Sequence, residues 1–232
     1  MLTHELIILS AGLLPSFIWL LFYLRKDSHP ESNPLVLKVF ILGILSGVFA
    51  IFLEKGFQKG MSFYGASDWF FIIFLASAII EEGIKFLAVK AGLYKTSEPD
   101  EPIDWVLFMI ISALGFAALE NVLVLATQEI ASSTRVLEIM SWRFVSATFL
   151  HALCSGAMGY FWILSRCKNK KIYLWIGFLA VAVLHAFYNW SIMQVEGINK
   201  FLLPLAIIMA LSLFVSFGIK HLKGLKPVCI IK

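Results

Sequence analysis

Apolar stretches about as long as a membrane is thick recur along most of this 232-residue chain. A helix needs about 20 residues to cross the hydrocarbon core of a bilayer. Hydrophobic residues make up 60% of the sequence and charged residues 15%, whereas an average soluble domain has about 25% charged residues. Lipid offers no hydrogen-bond partners to the backbone, so a spanning chain must form helices or a closed barrel. Because the apolar runs are continuous and do not alternate with polar residues, they favour helices.

These runs predict an all-α, polytopic transmembrane bundle that forms one domain over residues 1–232. Seven spans are predicted, at residues 5–24, 35–54, 68–93, 103–127, 142–165, 171–195 and 201–220. Residues 128–141 are mixed and polar, which predicts a loop. Small residues surround the charged positions of the third span and recur in the fourth and fifth. Because small side chains let helices approach closely, we expect the third to sixth spans to form the packed interior.

Basic residues are unevenly distributed over the predicted loops. Thirteen Lys and Arg residues lie on one side of the predicted bundle and five on the other, while Lys85 lies inside a span. Loops rich in Lys and Arg stay in the cytoplasm, so we expect an outer amino terminus and a cytoplasmic carboxyl terminus. The net charge of +4 therefore reflects topology. Charges spread over short loops do not form a nucleic-acid-binding patch.

Ionisable residues interrupt the third span. Glu81, Glu82 and Lys85 follow an apolar run that ends at Ile80. Each such side chain costs about 2.5–3.5 kcal/mol at the centre of a bilayer on insertion scales. Lys85 is three and four residues from the two glutamates, so its ammonium group can reach either carboxylate. Since adjacent carboxylates in a low dielectric do not both stay ionised unaided, Lys85 allows one glutamate to remain a base while the other is paired.

Other chemically versatile residues lie inside later spans, and they are Glu120, Asn121, His151, His185 and Asn189. Counted at 1.5 Å per residue from the predicted outer ends, Glu81, Glu120 and the two histidines lie roughly 10–20 Å deep. This common depth predicts one shared site. Phe116 and Glu120 share a helix face, as do His185 and Asn189, because residues four apart lie one above the other.

Carboxylates and imidazoles are good zinc ligands, and a catalytic zinc takes three protein ligands and a water. Glu120, His151 and His185 supply such a set, with Glu81 or Glu82 as the general base toward the water. Asn189 can orient the imidazole of His185 or bind a substrate carbonyl. The chain contains no local metal motif such as H-E-x-x-H, so the zinc prediction depends on three separate helices.

The residues alone leave other interpretations open. An isolated intramembrane histidine is often a packing residue, and a Glu–Lys pair can act as a structural clamp. The same buried groups could relay protons or ions in a coupled transporter. Inverted repeats or broken helices, which are typical of transporters, are not evident in the sequence. A non-catalytic scaffold or immunity protein is the third alternative.

Four motifs in sequence resemble those of the PrsW family of intramembrane proteases, which are relatives of the CAAX prenyl endopeptidases and of bacteriocin-processing proteins. Residues 81–85 match E-E-x-x-K, residues 116–121 match F-x-x-x-E-N, and residues 185–189 match H-x-x-x-N. The fourth motif is His151, which is followed by small residues. Lys85 and Glu120 stand where the prenyl-endopeptidase branch typically has Arg and His, so the chain is closer to the PrsW branch.

The resemblance implies an endopeptidase in the plasma membrane of a prokaryote. The best-known member of the family makes the first cut in a single-pass anti-sigma factor on the extracytoplasmic side, so the expected partners are a single-pass membrane protein and the surrounding lipid. We expect Glu81, Glu82, Lys85 and Asn189 to act in catalysis, with Phe116 and Asn121 in support. Zinc assistance is expected. In a metal-free alternative, a glutamate activates water while His185 and Asn189 stabilise the oxyanion.

Overall fold

The computed structural model describes residues 2–27, 29–66, 68–127 and 132–225, and over these ranges the all-α prediction is confirmed. Eight helices lie within them: α1 (Leu2–Leu24), α2 (Asn33–Phe63), α3 (Phe70–Gly92), α4 (Pro102–Thr127), α5 (Ser133–Val145), α6 (Ala147–Cys167), α7 (Ile172–Gln194) and α8 (Asn199–Lys223). Most helices begin and end within a few residues of the predicted spans. The clearest extension is α2, which runs to Phe63 and so includes the lysines that were expected just beyond it.

The described residues include six segments that are long and apolar enough to cross a membrane. They are Glu5–Leu24, Asn33–Phe63, Pro102–Thr127, Thr134–Cys167, Ile172–Gln194 and Asn199–Lys223. Helix α3 is not among them because it carries Glu81, Glu82 and Lys85 near its centre, although it is as long as α7, at 23 residues. Those charges point inward, since Glu82 and Lys85 are fully buried. The predicted third span is therefore a helix with a polar inner face.

The predicted fifth span, 142–165, lies within the apolar segment Thr134–Cys167, but its prediction as one continuous helix is wrong. Helices α5 and α6 meet at Ser146, where a φ of −117° and a ψ of −93° interrupt the helical backbone. The predicted polar loop at 128–141 is also wrong from Ser133 onward, while residues 128–131 lie outside the described part of the chain. Helix α5 is amphipathic, with Val136 and Met140 packed on Leu125 of α4. A helix with one apolar face has low average hydropathy, so the search for continuous apolar runs misses it.

Helix α4 forms the centre of the bundle and is buried on all sides along most of its length. Its backbone touches that of α2, because a Cβ atom at Gly43 or Gly115 would overlap a carbonyl oxygen of the opposite helix. The expected interior position is confirmed for α4 and α6 and is wrong for α7, where only 33% of the apolar segment is buried. Helix α7 buries one face that carries His185 and leaves Trp175 and Leu179 exposed.

Candidate active site

Four helices direct polar side chains toward one buried region. The structure brings together six of the residues predicted from the sequence, namely Glu81, Glu82 and Lys85 on α3, Glu120 on α4, His151 on α6 and His185 on α7. All of them except Glu120 are less than 10% exposed, and Glu120 is half-buried. Ions at this level of burial are stable only when they are paired and hydrogen-bonded, so their individual partners indicate what each group can do.

Glu82 is the anchored carboxylate of the site. Its Oε1 atom accepts hydrogen bonds from Nζ of Lys85 at 2.6 Å and from Nδ1 of His185 at 2.9 Å. Its Oε2 atom accepts one from the hydroxyl of Ser155 at 3.1 Å. Three donors, one of them an ammonium group, compensate for the loss of water around this carboxylate. With both oxygens engaged, Glu82 is suited to hold other groups in place.

Glu81, the adjacent residue, has an oxygen that is not engaged. Its Oε2 atom is buried and has no hydrogen-bond partner among the described residues. This oxygen lies 3.8 Å from Nδ1 of His151, 3.8 Å from Nε2 of His185 and 3.9 Å from Nζ of Lys85. These separations are too long for direct hydrogen bonds, and groups at such distances are often bridged by a water. Glu81 is therefore the glutamate that is free to act on a bound molecule.

The hydrogen bonds of the two histidines define which ring nitrogens face Glu81. Lys85 donates to Nδ1 of His151 at 3.0 Å, so this imidazole carries its proton on Nε2, which donates to Oε2 of Glu120 at 3.1 Å. His185 donates from Nδ1 to Glu82, which leaves a lone pair on Nε2. Both unprotonated nitrogens thus lie on the side of Glu81. In this pattern each imidazole is oriented by a carboxylate behind it.

Glu120 is held by an arginine that sequence reasoning did not assign to the site. Arg143, near the end of α5, donates to Oε2 of Glu120 at 2.6 Å and to Oδ1 of Asn121 at 2.5 Å. The sequence showed Arg143 only as a basic residue at the outer edge of a span, because the helix that carries it was not predicted. Arg143 balances the charge of Glu120 and so fixes the acceptor of His151.

We expect Arg143→Gln to lower kcat/KM for proteolysis by about 10–100-fold, the loss that is usual when a residue that orients a reacting group is removed. The glutamine cannot neutralise Glu120, so the orientation of His151 becomes less well defined. Arg143→Lys, which restores the charge without the planar fork, should recover part of the loss. Cleavage kinetics of the two variants beside the wild type provide the measurement. Equal activity of Arg143→Gln and wild type would show that Arg143 only stabilises the fold.

The predicted supporting residues Phe116 and Asn121 lie beside the cluster. The ring of Phe116 is 4.6 Å from Nζ of Lys85 and 5.3 Å from the imidazole centre of His151, so it covers the Lys85 charge with an aromatic face. Asn121 donates to Oγ1 of Thr148 at 3.0 Å and thereby joins α4 to α6. Asn189 lies one turn beyond His185, is half-buried, and forms no side-chain hydrogen bond with any described residue. Its catalytic role stays a prediction.

A small cavity of about 70 Å³ lies between α2, α3 and α4, and Glu81 is one of the residues that line it. Its lining includes Glu54 of α2 together with Glu81, Phe116 and Glu120. Glu54 is a further residue that the sequence analysis did not assign, because it lies at the end of the predicted second span. The cavity is large enough for a water molecule and its carboxylates supply partners for one. Water can therefore be held next to the free oxygen of Glu81.

The donor groups fit a metal ion, but with a different ligand set from the predicted one. Atoms of Glu81, His151 and His185 lie within 4.8 Å of one another and are buried. Three protein ligands with carboxylates behind the histidines are typical of catalytic zinc. Among the described residues, no such group contains Glu120 with both histidines, and Glu120 is instead engaged by Arg143. An ion would also require Lys85 to release Nδ1 of His151.

This fold and site define a multi-pass membrane protein with a buried acid–imidazole centre suited to hydrolysis. The model of the PrsW family of intramembrane metalloproteases matches residues 31–217, and the chain belongs to that family. The protein is thus an intramembrane protease of a prokaryotic membrane, and the transporter and scaffold alternatives are set aside.

Curated relatives support the same assignment. The chain is 31% identical over 196 residues to Protease PrsW of Geobacillus kaustophilus, covering 82% of this chain and 81% of that protein. It is 31% identical over 209 residues to Protease PrsW of Oceanobacillus iheyensis, with 88% and 90% covered. Identity to Protease PrsW of Bacillus subtilis is 26% over 206 residues, with 87% and 90% covered. No solved structure is significantly similar to the chain.

Proposed function

We propose that this protease cleaves a single-pass membrane protein near the outer membrane boundary, and that Glu81 activates the attacking water. The observation that carries the proposal is the buried Oε2 atom of Glu81, which has no hydrogen-bond partner within the described part of the chain and faces two imidazole nitrogens and an ammonium group. The other hydrogen-bonded carboxylate oxygens of the cluster belong to Glu82 and Glu120, and they already accept hydrogen bonds from neighbouring side chains. A base must have a free lone pair within reach of water, and Glu81 has one.

The reaction is hydrolysis of a peptide bond. Glu81 removes a proton from water while the water oxygen bonds to the scissile carbonyl carbon. Glu81 then returns that proton to the amide nitrogen as the carbon–nitrogen bond breaks, which leaves a carboxylic acid and an amine. Lys85, 3.9 Å from Oε2 of Glu81, places positive charge near the developing oxyanion. Asn189 supplies an amide donor to the same oxygen.

Zinc assistance is part of the proposal, with Glu81, His151 and His185 as the residues that would hold the ion. The chemistry that zinc would supply there is that of a Lewis acid, which would polarise the scissile carbonyl and make the attacking water more acidic. Oε2 is the oxygen of Glu81 that faces both histidines, so it would be the one to hold the ion, and the second oxygen of the same carboxylate would then be the one to accept a proton from water. Glu82 and Glu120 keep the two imidazoles in the tautomers that present their lone pairs to this point.

We expect the purified wild type to contain about one zinc ion per chain, the stoichiometry of a mononuclear catalytic site. His151→Ala and His185→Ala should each lose the metal, because each removes one of three ligands. The matched control is His221→Ala, whose side chain contacts Tyr160 at a different place in the bundle. The measurement is the zinc content per chain of the wild type and of the three variants. An active wild type without metal would reject the zinc claim and leave Glu81 as the base of a metal-free reaction.

The substrate class follows from the proposed orientation, with the amino terminus outside. The site then lies in the outer half of the membrane, where a single-pass protein of the anti-sigma-factor type would be cut on the extracytoplasmic side. The test reconstitutes the protein in liposomes with a single-pass reporter and maps the new termini by mass spectrometry. The expected cut lies within a few residues of the outer end of the reporter helix. A cut near the opposite end would overturn the orientation, and no cut in any membrane-anchored reporter would overturn the proposed substrate class.

A further inference from the structure

A second and larger cavity lies between α7, α8 and the junction of α5 with α6. It is a groove of about 420 Å³, within the roughly 300–1,000 Å³ typical of ligand pockets. Its lining is mostly apolar and includes Trp142, Ile192, Phe201 and Pro204. None of the residues that surround Glu81 lines it, so the groove is separate from the catalytic cluster.

The groove contains a buried hydroxyl group whose hydrogen bonding is incomplete among the described residues. Tyr188 on α7 lines it and is 1% exposed, and its hydroxyl faces the Ser146 side chain without the geometry of a full hydrogen bond. Ser146, which also lines the groove, donates its own hydroxyl to the carbonyl of Trp142 at 2.6 Å. A buried hydroxyl that stays unpaired is unfavourable, so an occupant that brings an acceptor to Tyr188 is favoured over one that does not.

The mouth of the groove carries one positive charge. Lys200, at the start of α8, is exposed and is the only charged residue among those that line the groove. Trp142 beside it is 61% exposed, and exposed tryptophan with lysine is typical of a membrane–water interface. A molecule that enters from the membrane surface therefore meets the Lys200 cation first and the apolar interior next. The groove is thus suited to a ligand that has an anionic group at one end and apolar groups behind it.

The groove is also close to the catalytic residues along the chain. Tyr188 is three residues from His185 on α7, which is a rise of about 4.5 Å along the helix axis. An extended peptide advances about 3.3 Å per residue, so a segment in the groove is separated from the catalytic residues by only a few of its own positions. Such a peptide presents a carbonyl oxygen at every residue, whereas the tail of a lipid has no acceptor at the depth of Tyr188.

We propose that this groove binds an extended apolar segment of the substrate next to the scissile bond, with the Tyr188 hydroxyl donating to a peptide carbonyl and Lys200 pairing with an acidic substrate residue at the membrane surface. This inference rests on the proposed proteolytic function and adds a specificity rule to it. Substrates with an acidic residue at the outer edge of their membrane segment are cut faster than substrates with a basic residue there.

Two substitutions test the rule by kinetics with a pair of single-pass reporters that differ only in an Asp or a Lys at that edge. Tyr188→Phe keeps the ring and removes the donor, and it should lower kcat/KM about threefold to tenfold through a higher KM, with unchanged thermal stability. Tyr173→Phe on the same helix is the matched control. Lys200→Glu should reverse the preference from the Asp reporter to the Lys reporter. Unchanged kcat/KM in Tyr188→Phe and unchanged preference in Lys200→Glu would overturn the inference.

Crosslinking separates this inference from the proposed function. A photoreactive phenylalanine analogue replaces Leu205, which lines the groove and is 53% exposed, in the inactive Glu81→Gln protein. The control position is Leu202, which is 51% exposed and does not line the groove. Crosslinks to the Asp reporter from Leu205 and not from Leu202 support the docking site. If they form while the wild type cleaves no reporter, the proposed function fails and the site stands. Equal crosslinking from both positions rejects the site, whatever the cleavage assay shows.

Discussion

Glu81→Gln is expected to lower kcat by about 10²–10⁴-fold, the range by which positioned general bases accelerate reactions. Glutamine has nearly the same shape but cannot take a proton from water. The substitution should leave the thermal unfolding temperature nearly unchanged, because Oε2 of Glu81 makes no hydrogen bond with any described residue and the amide can still donate to Glu54, which is hydrogen-bonded to Glu81. Cleavage kinetics in liposomes and thermal unfolding in detergent measure the two quantities on the same preparation.

The control for this prediction is Glu138→Gln, the same chemical change at an exposed residue of α5 that pairs with Arg135. It should leave kcat at the wild-type value. A Glu81→Gln protein that retains more than about a tenth of the wild-type kcat would contradict the role of Glu81 as base. A large loss of thermal stability in the same variant would show that Glu81 has a structural role as well.

Glu82→Gln and Lys85→Met are expected to have the largest effects on stability. Each should lower the free energy of unfolding by about 3–5 kcal/mol, because each leaves one partner of a fully buried ion pair without compensation. The double variant should be more stable than the sum of the two single losses predicts, since no buried charge is then left unpaired. It should still be inactive, because Glu82 also orients His185. Unfolding of the two single variants and the double variant gives the coupling energy.

The comparison is the surface pair of Arg135 and Glu138, whose side chains are 57% and 54% exposed. Breaking it should cost less than about 1 kcal/mol. If Glu82→Gln and Lys85→Met cost no more than this surface pair, water must reach the ion pair, and the dry environment on which the geometry of the site depends would be absent. Adjacent glutamates therefore give opposite expectations for the same substitution: lost activity at Glu81 and lost stability at Glu82.

Much of the fold is predictable from the sequence because insertion into lipid depends on local properties. The length and continuity of the apolar runs predict helices, and their bounds agree with α1, α3, α4, α7 and α8 to within a few residues. The cost of placing charge in lipid also singles out Glu81, Glu82 and Lys85 without knowledge of any contact. The amphipathic helix α5 was missed, because its single apolar face is recognised only when Leu125 packs against it.

The candidate site, like the fold, is predictable from the sequence only in part. The sequence identified the residue types and a common depth, and the structure brings Glu81, Glu82, Lys85, His151 and His185 into contact range. Which glutamate is free was not predictable, because adjacent residues on a helix point about 100° apart and only packing decides what each meets. The predicted ligand set includes Glu120 because the sequence shows Arg143 only as a basic residue at the edge of the predicted fifth span. Its actual position on α5 pairs it with Glu120.

The sequence by itself determined that this protein is a bundle of membrane helices with acids and imidazoles at one depth, because the length and polarity of each span are written in consecutive residues. Only the tertiary structure decided which of those groups holds its neighbours in place and which can act on a bound molecule. The roles depend on partners from other helices, as when Lys85, His185 and Ser155 engage Glu82, while one oxygen of Glu81 has no partner among the described residues. Such partners are far apart in the chain and are selected by how the helices pack, which no local pattern of residues records.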